Sequence, residues 1–209
     1  MYLDTDVFVY YLVQEVLRTE TPTAYQRGVE AYGKASEYRR NARLAALVLD
    51  RINSSVYDGV FSALVFLELR KKLRAFLCQH TKLDMGDIEI TIAKAFGVLW
   101  QVRNWYSPEL QHENELDENR AQLKWHDVMT RASEIHKANI GERSSDNSTR
   151  HVGTKAIDVV HIALAEKFDC GYLVTFDKDF VTARNQFSSL SVRIVHLPYE
   201  IGILLPRKS

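Results

Sequence analysis

Short apolar runs that alternate with longer amphipathic stretches are the feature of this sequence that most restricts its fold. Strands are predicted up to Asp4 and at residues 59–64, 170–175 and 191–197. Apolar residues at helical spacing fill the intervals between these runs. Strands separated by helices predict a parallel sheet covered on both faces, so the expected class is α/β with three layers, α/β/α.

The helices themselves are predicted from the same periodicity. They cover residues 7–16, 23–52, 65–79, 84–106, 118–139, 154–168 and 177–185. Either Thr5 or Asp6 is expected to cap the first of them, and Thr154 the sixth, because Ser, Thr and Asp side chains accept the free N–H groups at a helix start. The polar segment 141–153 is short of apolar residues and is predicted to be a loop.

Composition excludes several classes of protein. Hydrophobic residues make up 46% of the chain, which is enough for a proper core. Lys and Arg (27) balance Asp and Glu (27), which argues against a protein that coats polyanions without specificity. Neither a basic signal-peptide start nor an apolar run near the roughly 18 residues of a membrane span is present. Cys78 and Cys170 are expected to be small buried residues in a reducing cytosol, so a cytoplasmic location is predicted.

Four carboxylates stand beside or within apolar runs, where a charge is costly unless something compensates it. They are Asp4, Glu68, Asp158 and Asp177. Asp4 and Asp177 directly follow predicted strands, and ligands of open parallel sheets bind beyond the carboxyl ends of the strands. Four such acids, far apart in sequence, favour convergence on a hard divalent cation such as Mg²⁺ or Mn²⁺, which prefers oxygen ligands.

The segments around these acids match a known family in order and context. They are Leu-Asp-Thr-Asp-Val (3–7), Leu-Val-Phe-Leu-Glu-Leu-Arg (64–70), Gly-Thr-Lys-Ala-Ile-Asp-Val-Val-His-Ile-Ala-Leu-Ala (153–165) and Leu-Val-Thr-Phe-Asp-Lys-Asp-Phe (173–180). Together they resemble the acid motifs of PIN-domain ribonucleases, and especially the toxins of VapBC-type toxin–antitoxin pairs. The resemblance extends from the first residue to about Leu197.

The resemblance implies a fold, an activity and partners. It implies a single PIN-like domain over residues 1–209, with a helical insertion at about 80–150. It also implies an Mg²⁺- or Mn²⁺-dependent endoribonuclease that acts on RNA, binds an antitoxin protein and forms a homodimer. Asp4, Glu68, Asp158 and Asp177 are the implied catalytic and metal-binding residues. Asp4 and Asp158 are the first choices for direct ligands.

Five further residues are expected to support these acids or to contact substrate: Asp6, His151, His161, Thr175 and Asp179. The fourth motif offers two acids, and we favour Asp177 over Asp179 because it is nearer the strand end. His161 shares a helical face with Asp158 and is expected to form hydrogen bonds rather than to bind metal, because Mg²⁺ prefers oxygen. His151 lies in the predicted loop, where a substrate contact and no role at all both stay open.

Other interpretations of the same residues remain open. Asp4 and Asp6 also fit the first motif of haloacid-dehalogenase-type phosphatases, as nucleophile and general acid, with Ser62 in the second motif. A non-catalytic PIN-fold interaction module is a further alternative. Glu68 either pairs with Lys71 or Lys72 on a solvated helix face, or points inward with the basic residues at the mouth of the site.

Overall fold

Short strands and helices alternate along the chain, as the apolar pattern predicts. The computed structural model describes residues 1–31, 35–106, 125–141, 156–186 and 189–205. The strands are β1 (Tyr2–Leu3), β2 (Gly59–Val60), β3 (Trp105–Tyr106), β4 (Tyr172–Thr175) and β5 (Arg193–His196). They pair in parallel in the order β3-β2-β1-β4-β5. The predicted α/β class with a parallel sheet is confirmed, and the arrangement is compatible with three layers.

Helices make up most of the described residues. The first, α1 (Thr5–Leu12), continues through a π-helical turn (Val13–Leu17) into α2 (Arg18–Glu20). The others are α3 (Pro22–Ala31), α4 (Ala35–Asn53), α5 (Ala63–His80), α6 (Met85–Leu99), α7 (Trp125–Gly141), α8 (Ala156–Lys167) and α9 (Lys178–Gln186). Within the described ranges, no helix is long and apolar enough to cross a membrane.

The start of α1 differs from the prediction. The cap is Asp4, whose extended backbone precedes the helix and whose side chain accepts the N–H of Thr5. Thr5 and Asp6 both lie inside α1, so the prediction that one of them caps the helix was wrong. The strand therefore passes into the helix without an intervening loop, and Asp4 belongs to the site and to the helix cap at once.

Three other boundaries also differ. The predicted helix 23–52 is two helices, α3 and α4. The predicted strand 59–64 is only two residues long, because Ser62 caps α5 by accepting the N–H of Val65. The predicted helix 84–106 ends at Leu99, and Trp105–Tyr106 pairs with β2 as the edge strand β3. Periodicity alone does not separate so short a strand from a neighbouring helix.

The strand order reverses beside β1, and this reversal locates the site. The chain first places β2 and β3 on one side of β1, and then returns to place β4 and β5 on the other side. In open parallel sheets, ligands bind outside the carboxyl ends of the strands at such a reversal. Asp4 directly follows β1, and Asp177 lies two residues after the end of β4. The crevice between these two strand ends is therefore where a ligand is expected.

The core is centred on β1. Tyr2 and Leu3 are fully buried and pair with Leu173 and Val174 of β4. Helix α8 is also buried on almost all sides, including at Asp158 and His161. The cysteine prediction is confirmed for Cys170, which is buried, and is wrong for Cys78, which is exposed.

Some predictions concern segments that the structure does not describe. The loop after Gly141, the cap at Thr154 and the residue His151 fall within 142–155, which lies outside the described residues. The same holds for the first part of the predicted helix 118–139, because the described chain resumes at Trp125.

Candidate metal centre

Three aspartates converge at the carboxyl end of the sheet. They are Asp158, Asp177 and Asp179, which each offer a carboxylate oxygen, and these oxygens all lie within 4.8 Å of one another. Asp158 is buried in the first turn of α8, while Asp177 and Asp179 are half-buried at the start of α9. The fourth motif therefore contributes both of its acids to the group, rather than Asp177 alone.

Local hydrogen bonds fix the two acids of the fourth motif. The hydroxyl oxygen of Thr175, the last residue of β4, accepts the N–H of Asp177 at 2.9 Å. The carboxylate of Asp177 in turn accepts the N–H of Asp179, also at 2.9 Å. This is the side-chain-to-backbone turn that Asp forms readily before a helix. The turn commits one oxygen of Asp177 to the backbone and brings the carboxylate of Asp179 to the same side.

Asp4 lies next to this group and is joined to it through Thr175. Its carboxyl accepts the N–H of Thr5 and the hydroxyl of Thr175, both at 2.7 Å. Asp4 is only 5% exposed, and both threonines are fully buried. Within the described residues, Asp4 and Glu68 are not members of the three-aspartate group. Asp4 is thus beside the group and oriented by two donors, one on each oxygen.

Burial dominates the protonation of Asp4. Removal from water raises the pKa of the Asp4 carboxyl above its ordinary value of 3.8, and the negative charge of Asp6 adds to the rise. His161, the hydroxyl of Thr175 and the Lys72 ammonium offset part of it. An ionised Asp4 is therefore costly in the isolated protein, which is the electrostatic condition under which a nearby cation is favoured.

Glu68 has the opposite environment. It lies in the second turn of α5 with a side chain that is 24% exposed. Its Oε2 accepts the hydroxyl of Thr5 at 2.7 Å and contacts Nε2 of His161 at 2.9 Å. Burial alone would raise the pKa of Glu68, but the hydrogen bonds from His161 and Thr5 outweigh it and lower the pKa to about 2. Glu68 is therefore ionised at any physiological pH.

The basic residues after Glu68 do not form ion pairs with it along the surface of α5. Lys72 donates to Asp6 at 2.6 Å, with side chains that are 43% and 33% exposed. Lys71 is exposed one position earlier on α5. The interpretation in which Glu68 pairs with Lys71 or Lys72 on a solvated face was wrong, because Glu68 points inward to Thr5 and His161. Lys72 forms its ion pair with Asp6 instead.

His161 forms hydrogen bonds through both ring nitrogens, which confirms the predicted hydrogen-bonding role. Its Nδ1 lies 2.8 Å from the hydroxyl of Tyr2, which also lies 2.8 Å from the hydroxyl of Ser62. Ser62 and Tyr2 are fully buried. This placement disfavours the phosphatase interpretation, in which Ser62 would have to bind a phosphate.

Two residues of the site went unrecognised in the sequence. Thr5 joins Asp4 and Glu68, since its N–H donates to the first carboxyl and its hydroxyl to the second. Tyr2 supports His161 from the strand that precedes Asp4. An apolar residue would fill the core at position 2 equally well. The polar groups of Tyr2 and Thr5, close to Asp4 at a strand end, were therefore the sequence signal for these two roles.

Comparisons with known proteins add no assignment. Neither the protein-family models nor the curated proteins contain a match to this chain.

The raised pKa of Asp4 predicts a pH-dependent cost to the fold. A carboxyl whose pKa is higher in the folded state binds its proton more tightly there, so stability falls as pH rises from the unfolded value of 3.8 through the folded one. Asp4→Asn removes that charge and keeps a good helix cap. We expect this variant to unfold at the same or a higher temperature than wild type at pH 7 in EDTA, measured by circular dichroism.

The matched control for that measurement is Asp50→Asn, at an exposed position of α4. It is expected to leave the melting temperature unchanged. A melting temperature for Asp4→Asn clearly below that of wild type at pH 7 would show that the hydrogen bonds of the ionised carboxyl outweigh its burial.

Proposed function

We propose that this chain is a divalent-metal-dependent nuclease that hydrolyses RNA phosphodiester bonds, with the PIN-like fold that its motifs resemble. The observation that carries the proposal is the convergence of Asp158, Asp177 and Asp179 within 4.8 Å, beside the buried Asp4. Three carboxylates this close repel one another when ionised, and a bound cation would offset that repulsion. The location at the reversal of the strand order agrees with a ligand site.

The donor set fits a hard cation. All three side chains offer carboxylate oxygens, and a common ion at roughly 2.0–2.6 Å from each oxygen is compatible with oxygens within 4.8 Å of one another. Asp158, Asp177 and Asp179 would hold the ion, with Asp4 and Glu68 flanking it. Bound Mg²⁺ or Mn²⁺ supplies Lewis-acid stabilisation of phosphate charge and a water of lowered pKa.

The chain's own residues supply orientation. Asp4 is held in one orientation by donors on both oxygens. Glu68 stays ionised through Thr5 and His161 and adds negative charge on the other side of Thr5. Ordered carboxylates of this kind can hold water molecules in line for attack on a phosphate. The fixed geometry is the protein's main contribution to the reaction.

Lys72 is suited to hold the substrate. It lies one helical turn after Glu68, and its ion pair with Asp6 is half-exposed, so the pair is worth little and exchanges readily. A phosphate of the RNA backbone can therefore replace Asp6 as its partner. The raised pKa of Lys72 is shaped first by burial, which lowers it, and then by the stronger opposing effects of Asp6, Asp4 and Glu68, so the ammonium stays charged.

The activity itself is the first test. Purified protein should cleave single-stranded RNA with Mg²⁺ or Mn²⁺, and EDTA should stop the reaction. Asp158→Asn should lower the cleavage rate by about a hundredfold or more, because several kcal/mol of charge stabilisation is lost with the ion. Asp50→Asn on exposed α4 is the control that should leave the rate unchanged. Cleavage that persists undiminished in Asp158→Asn would refute the metal mechanism.

Two other results would redirect the proposal. Hydrolysis of p-nitrophenyl phosphate without RNA cleavage would favour the phosphatase alternative. A protein that binds RNA but cleaves none, with or without metal, would favour the non-catalytic interaction module.

The two adjacent lysines of α5 give a matched pair of variants. Lys72→Met should lower kcat/KM on RNA by about tenfold and flatten the salt dependence by about one phosphate contact, because one charge-assisted hydrogen bond is lost. Lys71→Met removes the same charge from an exposed position. It should have a much smaller effect in the same steady-state assay. Equal losses in both variants would mean that Lys72 contributes only to the general field of the surface.

The resemblance adds the proposal that the chain is the toxin of a toxin–antitoxin pair, whose antitoxin covers the acidic site. Expression of the chain alone in a host without the antitoxin gene should then arrest growth, and Asp158→Ala should relieve the arrest. Normal growth with confirmed expression of active protein would assign the chain to a housekeeping nuclease instead.

A further inference from the structure

A series of hydrogen bonds joins Ser62, at the cap of α5, to Glu68 in the same helix through Tyr2 and His161. The hydroxyls of Ser62 and Tyr2 lie 2.8 Å apart, and the Tyr2 hydroxyl lies 2.8 Å from Nδ1 of His161. The other ring nitrogen, Nε2, lies 2.9 Å from Oε2 of Glu68. Ser62, Tyr2 and His161 are at most 1% exposed, so water does not compete for these bonds.

The acceptor role of Glu68 sets the direction of donation along this series of hydrogen bonds. Oε2 of Glu68 accepts the hydroxyl of Thr5, so it is an acceptor, and Nε2 of His161 donates to it. In the tautomer that carries its proton on Nε2, Nδ1 accepts from the Tyr2 hydroxyl. Tyr2 is left to accept from Ser62, whose own oxygen accepts the N–H of Val65 at the cap of α5. Each hydroxyl and each ring nitrogen in this series then has a partner.

Both donors to Glu68 approach the same oxygen. The hydroxyl of Thr5 and Nε2 of His161 both contact Oε2. Among the described residues, none forms a hydrogen bond to Oε1. A carboxylate held through one oxygen presents the other at a defined angle, which is what a metal-bound water or a direct ligand contact requires.

We propose that His161, held in turn by Tyr2, is a positioning residue that fixes Glu68 through Oε2 and leaves Oε1 available to the ion or its water. The proposal rests on the proposed function and names a residue that acts through Glu68 rather than on the substrate. Helix α8 carries Asp158 and His161 one turn apart, so one rigid element sets an acid of the three-aspartate group and the orientation of Glu68 together.

Two substitutions of His161 separate positioning from packing. His161→Leu and His161→Gln both remove the imidazole ring from the contact with Tyr2, whose ring centroid lies 5.9 Å away. Only Gln keeps an N–H that can donate to Glu68. Each variant is made in the wild-type and in the Glu68→Gln background, and thermal unfolding first establishes that each one folds. Mn²⁺ affinity by isothermal titration calorimetry and kcat on RNA are then measured for all.

His161→Leu is expected to weaken Mn²⁺ binding and lower kcat by about 10–100-fold, the usual cost of losing a partner that orients a metal-site residue. His161→Gln should recover most of that loss. In the Glu68→Gln background, His161→Leu should have little further effect on either quantity, because the group through which it acts is already neutral.

Three results would overturn the positioning role. They are equal impairment by Leu and Gln, an undiminished effect of His161→Leu in the Glu68→Gln background, and wild-type Mn²⁺ affinity and kcat in both single variants. Each of these leaves RNA cleavage by the wild type, and so the proposed function, intact.

A wild type that binds Mn²⁺ without cleaving RNA overturns the proposed nuclease activity. The Mn²⁺ affinities of the variants then still decide the positioning role. A wild type that binds no Mn²⁺ overturns both.

Discussion

The hydrogen bond between Thr175 and Asp4 is the interaction on which the rest of the site depends. It joins the carboxyl ends of β1 and β4, and the same hydroxyl oxygen accepts the N–H of Asp177. The pairing of Leu3 with Val174, continued by the bond from the N–H of Asp4 to the carbonyl of Val174, makes this contact possible. A slip of one residue would turn the side chains to opposite faces of the sheet, so strand register and site geometry are the same constraint.

Two carboxyls of the site are held in opposite electrostatic conditions. Burial raises the pKa of Asp4, while hydrogen bonds from His161 and Thr5 bring that of Glu68 down to about 2. Thr5 serves both, through its N–H and its hydroxyl. The different surroundings of the two carboxyls thus move their pKa values in opposite directions. The ionised form of the buried acid, Asp4, is the one that a nearby cation would stabilise most.

Helix α8 shows how the burial of a helix face can differ from what its sequence pattern indicates. Its sequence predicts an apolar side, with Ile157, Val160 and Leu164, and a polar side, with Asp158 and His161, that points at the predicted site. The structure buries both of these residues as fully as the apolar ones. The polar side does not face solvent, because Tyr2 and Glu68 from distant parts of the chain cover His161. Periodicity reports which residues share a face, and the packing of other elements decides what that face meets.

The sequence by itself determined the α/β class, the order of the main elements and the placement of the acids, because apolar periodicity and strand-end acids are local properties. Only the tertiary structure decided the strand order, the edge strand β3, the pairing of Lys72 with Asp6 and the inclusion of Asp179 in the three-aspartate group. These depend on partners far apart in the chain: Thr175 lies 171 residues from Asp4, and His161 lies 93 from Glu68. Contacts over such separations arise from the folding of the whole sheet, which no local pattern encodes.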